Sequence, residues 1–364
     1  MRPEQIKEPK ALNKLKNAAA ENANGGGLLK KISALFNGRT SIVPTLIALA
    51  LITVVQCFVI GFNEGSAAAV LPKLLISWMN ILRNNTYTGI IALGMCFVIL
   101  SGGIDLSVGS MTCAVGAALM YLLDPATGLL AKLGIFGAPA YIIAIIAALA
   151  CGYLFGELNG ILVSYGKIPP FIVTLGTMKI FRSVTQQLTK NFNPSVPTEF
   201  KQIASLKIGG QVILPILCWG AIAAVLYIVY RKTVFGKHTI AVGSNEKAAR
   251  YSGIRVNAVK RRVYALSGLM CAIAAIIYVA RIGSMDFANA GSGFEMESIA
   301  AVVVGGTAMS GGRGNLAGAF FGMLIIGVMN NVLNMLGVPT FLCDAVRGAI
   351  IIVAVLVQRR ERSE

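Results

Sequence analysis

The sequence predicts an all-α integral membrane protein, a polytopic bundle with ten candidate transmembrane helices. Three observations carry that prediction. Only 13% of the 364 residues are charged and 56% are hydrophobic, whereas soluble domains average about 25% charged. The apolar residues gather into runs of membrane-spanning length instead of scattering. The basic residues are clustered: of 32 Lys and Arg, eight fall in residues 1–40, nine in 231–262 and three in 358–364. Basic clusters flanking apolar helices mark cytoplasmic segments. The net charge of +17 therefore reads as membrane sidedness, and a nucleic-acid partner is not expected.

Residues 1–41 form a basic cytoplasmic tail. Its Lys30, Lys31 and Arg39 suit anionic membrane lipid, although a solvated leader is the plainer reading. The first apolar run, 42–62, starts too late and is too long for a secretory signal. It is long enough to span, since a helix needs about 20 residues at about 1.5 Å each. Residues 63–84 are mixed, and WMNILRNN resembles an interfacial helix anchored by Trp78. Further runs cover 86–100, 106–123, 139–163, 169–188 and 212–230. A basic loop, 231–262, follows. Beyond it lie 263–280, 298–309, 314–336 and 341–357, within a permease-like region of 42–358, and a cytoplasmic tail closes the chain at 359–364. Six runs precede the loop and ten are present in all. Both numbers are even, so the three basic segments share one side of the membrane. Eight spans would satisfy the same parity; the short or polar runs 86–100, 169–188 and 298–309 leave that alternative open.

Seven cysteines stand apart with no C-x-x-C spacing, and the single histidine, His238, lies in the basic loop. No zinc ligand set and no other cofactor is expected. Gly152, Gly156 and Gly160 stand four apart, as do Gly314, Gly318 and Gly322. That spacing lines one helix face with small residues and lets backbones approach. Such a face serves either a dimer seam or packing within the bundle, the more general use. Two breaks, LSGGIDLSVGS (100–110) and MSGGRGNLAGA (309–319), are alike and suggest a faint internal duplication.

Polar groups at membrane depth need a reason, since a central carboxylate costs about 2.5–3.5 kcal/mol on insertion scales. Asp105, like Ser101, is suited to cap the next helix. Glu157 and Asn159 sit beside the first glycine face and could form an interior polar track. Glu295 and Glu297 precede a run and could be its solvated end. Asn330, Asn331 and Asn334 are placed to crowd one helical side. Amides donate and accept, so such a row suits a hydroxyl-rich ligand or bonds between helices. The candidates for a translocation path are Asp105, Asn159, Thr174, Glu297, Asn330 and Asn331.

GSNEKAARYSGI, 243–254, is polar and helix-forming within a greasy chain. Asn245 is a good N-cap, Glu246 and Arg250 form an i,i+4 pair, and Gly253 fits the C′ position. Two turns are unstable alone, so this helix requires a partner groove or a membrane surface. The stretch resembles the cytoplasmic coupling motif of ABC-importer permeases. ALGMCFVILSGGIDLSVGS, FIVTLGT, YALSG, VARIGS, GFEMESIAAVVVGGT and GGRGNLAGAFFGMLIIGVMNNVLNMLGV resemble the ribose-type branch of monosaccharide permeases, with related segments in galactoside, xylose and arabinose members. Glu297-Ser298 departs from the family's frequent Asp-Ala. The resemblance implies a sugar permease that works with a second permease copy, a cytoplasmic ABC ATPase and an extracytoplasmic sugar-binding protein. It places Asn245, Glu246, Ala248, Ala249, Ser252 and Gly253 on the ATPase. The chain shows no G-x-x-x-x-G-K-[ST] phosphate loop; NGILVSYGKI has the wrong spacing. A transport subunit without its own ATPase site is expected, not an enzyme. The rival is a carrier or channel working without ATP. Nucleoside, polyol and signalling-sugar permeases are neighbours within the family.

Overall fold

Helices follow the apolar runs, as lipid demands: in hydrocarbon every backbone N–H and C=O needs an internal partner. The computed structural model describes residues 42–64, 67–190, 194–203, 205, 207–208, 211–339, 342–350 and 352. The expected tails, with Lys30, Lys31 and Arg39, lie outside the described residues, as does the end of the last run. In chain order the helices are α1 (Val43–Glu64), α2 (Ala67–Asn84), α3 (Thr86–Leu100), α4 (Val108–Leu123), α5 (Leu129–Lys132), α6 (Gly137–Ser164), α7 (Pro170–Thr189), α8 (Thr198–Ile203), α9 (Leu214–Lys232), α10 (Val234–Ser244), α11 (Glu246–Tyr251), α12 (Val256–Ile282), α13 (Phe294–Val304) and α14 (Leu316–Met335). Residues 342–350 are also helical. Two-residue strands, Lys207–Ile208 and Gln211–Val212, pair antiparallel between α8 and α9.

By length and composition α1, α6, α9, α12 and α14 can each cross a membrane, while α3 and α4 are shorter apolar helices. The run 298–309 resolves differently from its expectation. Its helix, α13, starts at Phe294 and stops at Val304, where Gly305 and Gly306 (φ +86°) turn the chain. Eleven residues reach about 16 Å, half of a core about 30 Å thick. The basic loop 231–262, expected to carry one short helix, carries more. It contains α10, capped where Thr233 Oγ1 accepts from Gly236 N at 3.3 Å, then α11 and the start of α12.

The centre is α3. Thr86 and every residue from Thr88 to Leu100 are buried, so this helix has no polar face to solvate. It packs on α12, α13, α14 and α9. The tightest pair is α6 against α12. Gly156 explains it: a Cβ there would stand 3.0 Å from the Cα atoms of Ala265 and Gly268 and would press on Tyr264 O. Hydrogen at that position lets two backbones touch. Gly152 faces Ala272 and Gly268, and Gly160 faces Arg261. On α14, Gly318 meets Gly305 and Gly322 meets Ala301. Both glycine faces are therefore spent on packing inside the bundle, leaving none of these glycines for a dimer seam.

The outer helices show the opposite pattern. α1 leaves Leu51, Val54, Phe58 and Phe62 exposed, apolar surface that lipid covers. It is held to α14 by amides: Gln56 Nε2 donates to Asn331 Oδ1 at 2.9 Å, and Asn63 Nδ2 to Met335 O at 3.3 Å. α2 lies on α1 and α14 and extends the expected interfacial helix back to Ala67, with Trp78 packed against the main core.

Candidate coupling and translocation sites

α11 is a short helix held at both ends by its own sequence. Asn245 adopts extended backbone and its Oδ1 accepts from Ala248 N at 3.0 Å, satisfying one orphan donor of the first turn. At the other end Gly253 takes φ +79°. Gly253 N donates to Arg250 O and Ile254 N to Ala249 O, each at 3.1 Å. That pairing is a Schellman motif, which requires the left-handed residue glycine supplies. Ser252 Oγ adds a bond to Ala248 O at 3.0 Å. Glu246 ties the element to α12: Oε2 accepts from Lys260 Nζ at 2.6 Å, and Oε1 from Arg250 at 3.3 Å. The Lys260 hydrogen bond, outweighing partial burial, holds the Glu246 carboxyl below the usual carboxylate range.

Only Ala249 of α11 is buried; Glu246, Lys247, Ala248 and Arg250 are exposed, and Tyr251 is 90% exposed. Buried Ala249 and the Glu246–Lys260 pair hold the helix to the bundle, and the remaining face is open to a partner.

A second group lies inside the bundle. Asp105 is fully buried. Its Oδ1 accepts from Ser107 N at 3.0 Å and Ser107 Oγ at 2.6 Å, and its Oδ2 accepts from Ser267 Oγ of α12 at 3.2 Å. Among the described residues no basic side chain pairs with it. Asn159 of α6 donates Nδ2 to Ser107 Oγ at 2.8 Å, and its own buried Oδ1 has no partner among the described residues. Tyr264 Oη donates to Ile104 O at 3.2 Å, and Thr174 Oγ1 lies 3.5 Å from the same carbonyl. Asp105, Asn159 and Thr174 are thus gathered around the 101–107 turn. Asp105 is not the expected N-cap. Ser107 occupies that position of α4, and Asp105 braces it from two residues earlier. Ser101 Oγ instead bonds back to Val98 O. Glu157, expected beside Asn159, points elsewhere and pairs with Arg261 at 3.0 Å.

Asp105→Ala removes the acceptor of Ser107 N, Ser107 Oγ and Ser267 Oγ at once. Buried donors left without an acceptor cost about 1–3 kcal/mol each. A lower apparent melting temperature in detergent is expected, and an unchanged one would show that the carboxylate braces nothing.

The remaining candidates divide between two neighbours. Glu297 pairs with Arg347 at 3.2 Å, and Arg347 Nε donates to Asn330 Oδ1 at 3.2 Å. Glu297 is therefore not a free solvated end: the 342–350 helix lies over it. Asn331 turns the other way, to Gln56, because successive helical residues diverge by about 100°. Asn330 and Asn331 do not share one polar row. Sequence reasoning missed Ser107, Tyr264, Ser267, Gln56 and Arg347. Of these, Gln56 and Arg347 carried a readable signal, being strongly polar within apolar runs.

Relatives agree with this architecture. The family described as branched-chain amino acid transport system / permease component matches residues 77–355. The ribose import permease protein of Bacillus subtilis is 40% identical, covering 78% of this chain and 84% of its own length. That of Escherichia coli is 38% identical, covering 78% and 85%. The xylose transport system permease protein of Haemophilus influenzae is 32% identical, covering 87% and 96%. No solved structure matches the chain significantly. A bundle of apolar helices that shares this much sequence with sugar permeases along most of its length has one consistent reading: the chain belongs to the branched-chain amino acid transport system / permease component family, as a multi-pass ABC monosaccharide permease of the ribose type.

Proposed function

We propose that this permease carries ribose, or a related pentose or hexose, into the cytoplasm, and that a separate ABC ATPase supplies the work. The observation that carries this reading is α11: a capped, exposed short helix held to the bundle by buried Ala249 and the Glu246–Lys260 pair. Its free face, with Asn245, Glu246, Ala248, Ala249, Ser252 and Gly253 defining its shape, is the seat of the ATPase. The end of the bundle bearing α11 is then cytoplasmic, together with the basic tails 1–41 and 359–364, and 42–358 is the permease proper. An extracytoplasmic sugar-binding protein delivers substrate at the opposite end, and a second permease copy completes the pathway. The names of the relatives, ribose import and xylose transport, support the substrate class.

Within the pathway, neutral hydroxyl-rich cargo calls for groups that donate and accept without full charge. Asn159 Oδ1, buried and without a partner among the described residues, is the acceptor a sugar hydroxyl meets once the helices part. Asp105 and Thr174 hold the turn beside it. Glu297 and Asn330, bound through Arg347, serve as a latch on the far helices, while Asn331 is occupied by Gln56.

Reconstitution tests the division of labour. Proteoliposomes holding this chain, its ATPase and its binding protein are expected to accumulate radiolabelled D-ribose only when ATP is present. Uphill accumulation by the permease alone, driven by an ion gradient, overturns the proposal.

A further inference from the structure

The two Gly-rich breaks, alike in sequence, meet in space. Gly312 N donates to Leu100 O at 2.9 Å, so the final carbonyl of α3, orphaned by the helix end, finds its partner in the other break. The end of α10 closes on the same point. Ser244 Oγ, which donates to Ile240 O of its own helix at 2.9 Å, also lies 3.3 Å from Gly312 O, so the two carbonyls share its one proton. A Cβ on Gly243 would stand 2.7 Å from Gly312 N and would strike Leu100 O. Gly312 itself sits at φ +71° with its α-hydrogen against Ser244. Three backbone segments therefore meet directly, with only the small Ser244 hydroxyl at their edge.

This contact lies next to α11. Ser244 is the last residue of α10, and the following residue, Asn245, is the α11 cap. The downstream flank grips the same turn, since α12 places Tyr264 on Ile104 O and Ser267 on Asp105. α11 is thus strung between two supports, and both hold residues 100–107. From there the chain enters α4 through Ser107. From the second break it enters α14 through Asn315, whose Oδ1 accepts from Ala317 N at 3.0 Å.

We propose that Gly243, Ser244 and Gly312 are positioning residues that carry a displacement of α11 into the heads of α4 and α14, so that the paired breaks act as the transmission joint of transport. The inference rests on α11 being the ATPase seat. Its physical basis is stiffness. Side chains between two elements can change rotamer and absorb a shift, whereas backbone held against backbone passes the shift on, and packed contacts switch between discrete arrangements rather than deform.

The test uses the complete transporter in proteoliposomes and reads ATP hydrolysed per D-ribose taken up. Ser244→Ala removes the hydroxyl shared between Ile240 O and Gly312 O at an exposed residue, and the ratio is expected to rise about threefold, the scale of a single net hydrogen bond. Ser244→Thr, which keeps the hydroxyl, is expected to restore it. Gly312→Ala, strained and crowded, is expected to raise the ratio further while the ATPase co-purifies at the wild-type level. Where Gly312→Ala does not accumulate, the Ser244 pair decides. A purely structural role lowers uptake and hydrolysis together and leaves the ratio unchanged. An unchanged ratio in Ser244→Ala, alongside a raised ratio in Glu246→Lys, overturns the joint and leaves the ATPase seat standing. An unchanged ratio in Glu246→Lys overturns the seat, and the joint with it.

Discussion

Gly156→Leu is expected to eliminate folded permease from the membrane. The new side chain would enter a seam where even a Cβ comes within 3.0 Å of two α12 Cα atoms. Overpacking a well-filled core costs about 1–3 kcal/mol when neighbours can adjust. Here the neighbours are main chain, at Tyr264, Ala265 and Gly268, and the only relief is to push α12 away from α6. That movement would also withdraw Ser267 from Asp105 and Tyr264 from Ile104. The internal polar group would then be left with unpaired donors and an unbraced carboxylate, each a further loss. Gly176→Leu is the matched control. Gly176 lies on α7 with nothing within 4 Å of an added Cβ. Size-exclusion profiles of fluorescently tagged variants measure the difference: Gly176→Leu should give a wild-type peak and Gly156→Leu almost none. Equal peaks would show that α6 and α12 do not depend on backbone contact.

The same seam shows what a sequence can reveal of such a fold. Four-residue glycine spacing identified the α6 face because helix geometry alone brings those positions into line. The partner face on α12 left no such trace, since one glycine, Gly268, and the backbone of a larger residue suffice there. Asp105 was legible because a carboxylate in an apolar run is costly wherever it points. Its hydroxyl partners were not. Hydroxyls in apolar helices commonly bond their own backbone one turn back, as Thr112 does to Val108 O at 2.7 Å and Thr53 to Leu49 O at 2.8 Å. Nothing local distinguishes these from Ser267, which reaches across to another helix. The α11 caps were readable to the residue, because capping is chemistry between neighbours in sequence. α10 went unseen: its Gly236, Gly243 and Thr239 dilute the helical pattern, and its role depends on a break of the chain far away. Local signals were sufficient for helices and caps; the joints between them are tertiary and had to be seen.

Glu246→Lys is expected to cut ATP-driven ribose uptake about tenfold or more, within the range of typical coupling free energies, while insertion and bundle folding persist. Glu246 is exposed and its ion pairs contribute little to global stability, about 0.2–1 kcal/mol each, so the bundle has no reason to fail. Locally the change is severe. Lys260 at 2.6 Å and Arg250 at 3.3 Å would face a third cation. The acidic first turn that complements the helix dipole would be reversed as well. A helix of six residues cannot hold itself without such support, so α11 should lose the orientation that the proposed ATPase seat requires. Glu246→Gln, neutral and of similar size, should fall between the two. The pH dependence follows from the lowered carboxyl. A depressed folded-state value means the pair's contribution is complete above the unfolded value, about 4.3, and disappears only as pH falls through the lower folded one. Coupling through Glu246 should therefore be flat from pH 6 to pH 8. Uptake at the wild-type rate in Glu246→Lys, or a coupling ratio that titrates near neutrality through this residue, would remove Glu246 from the contact.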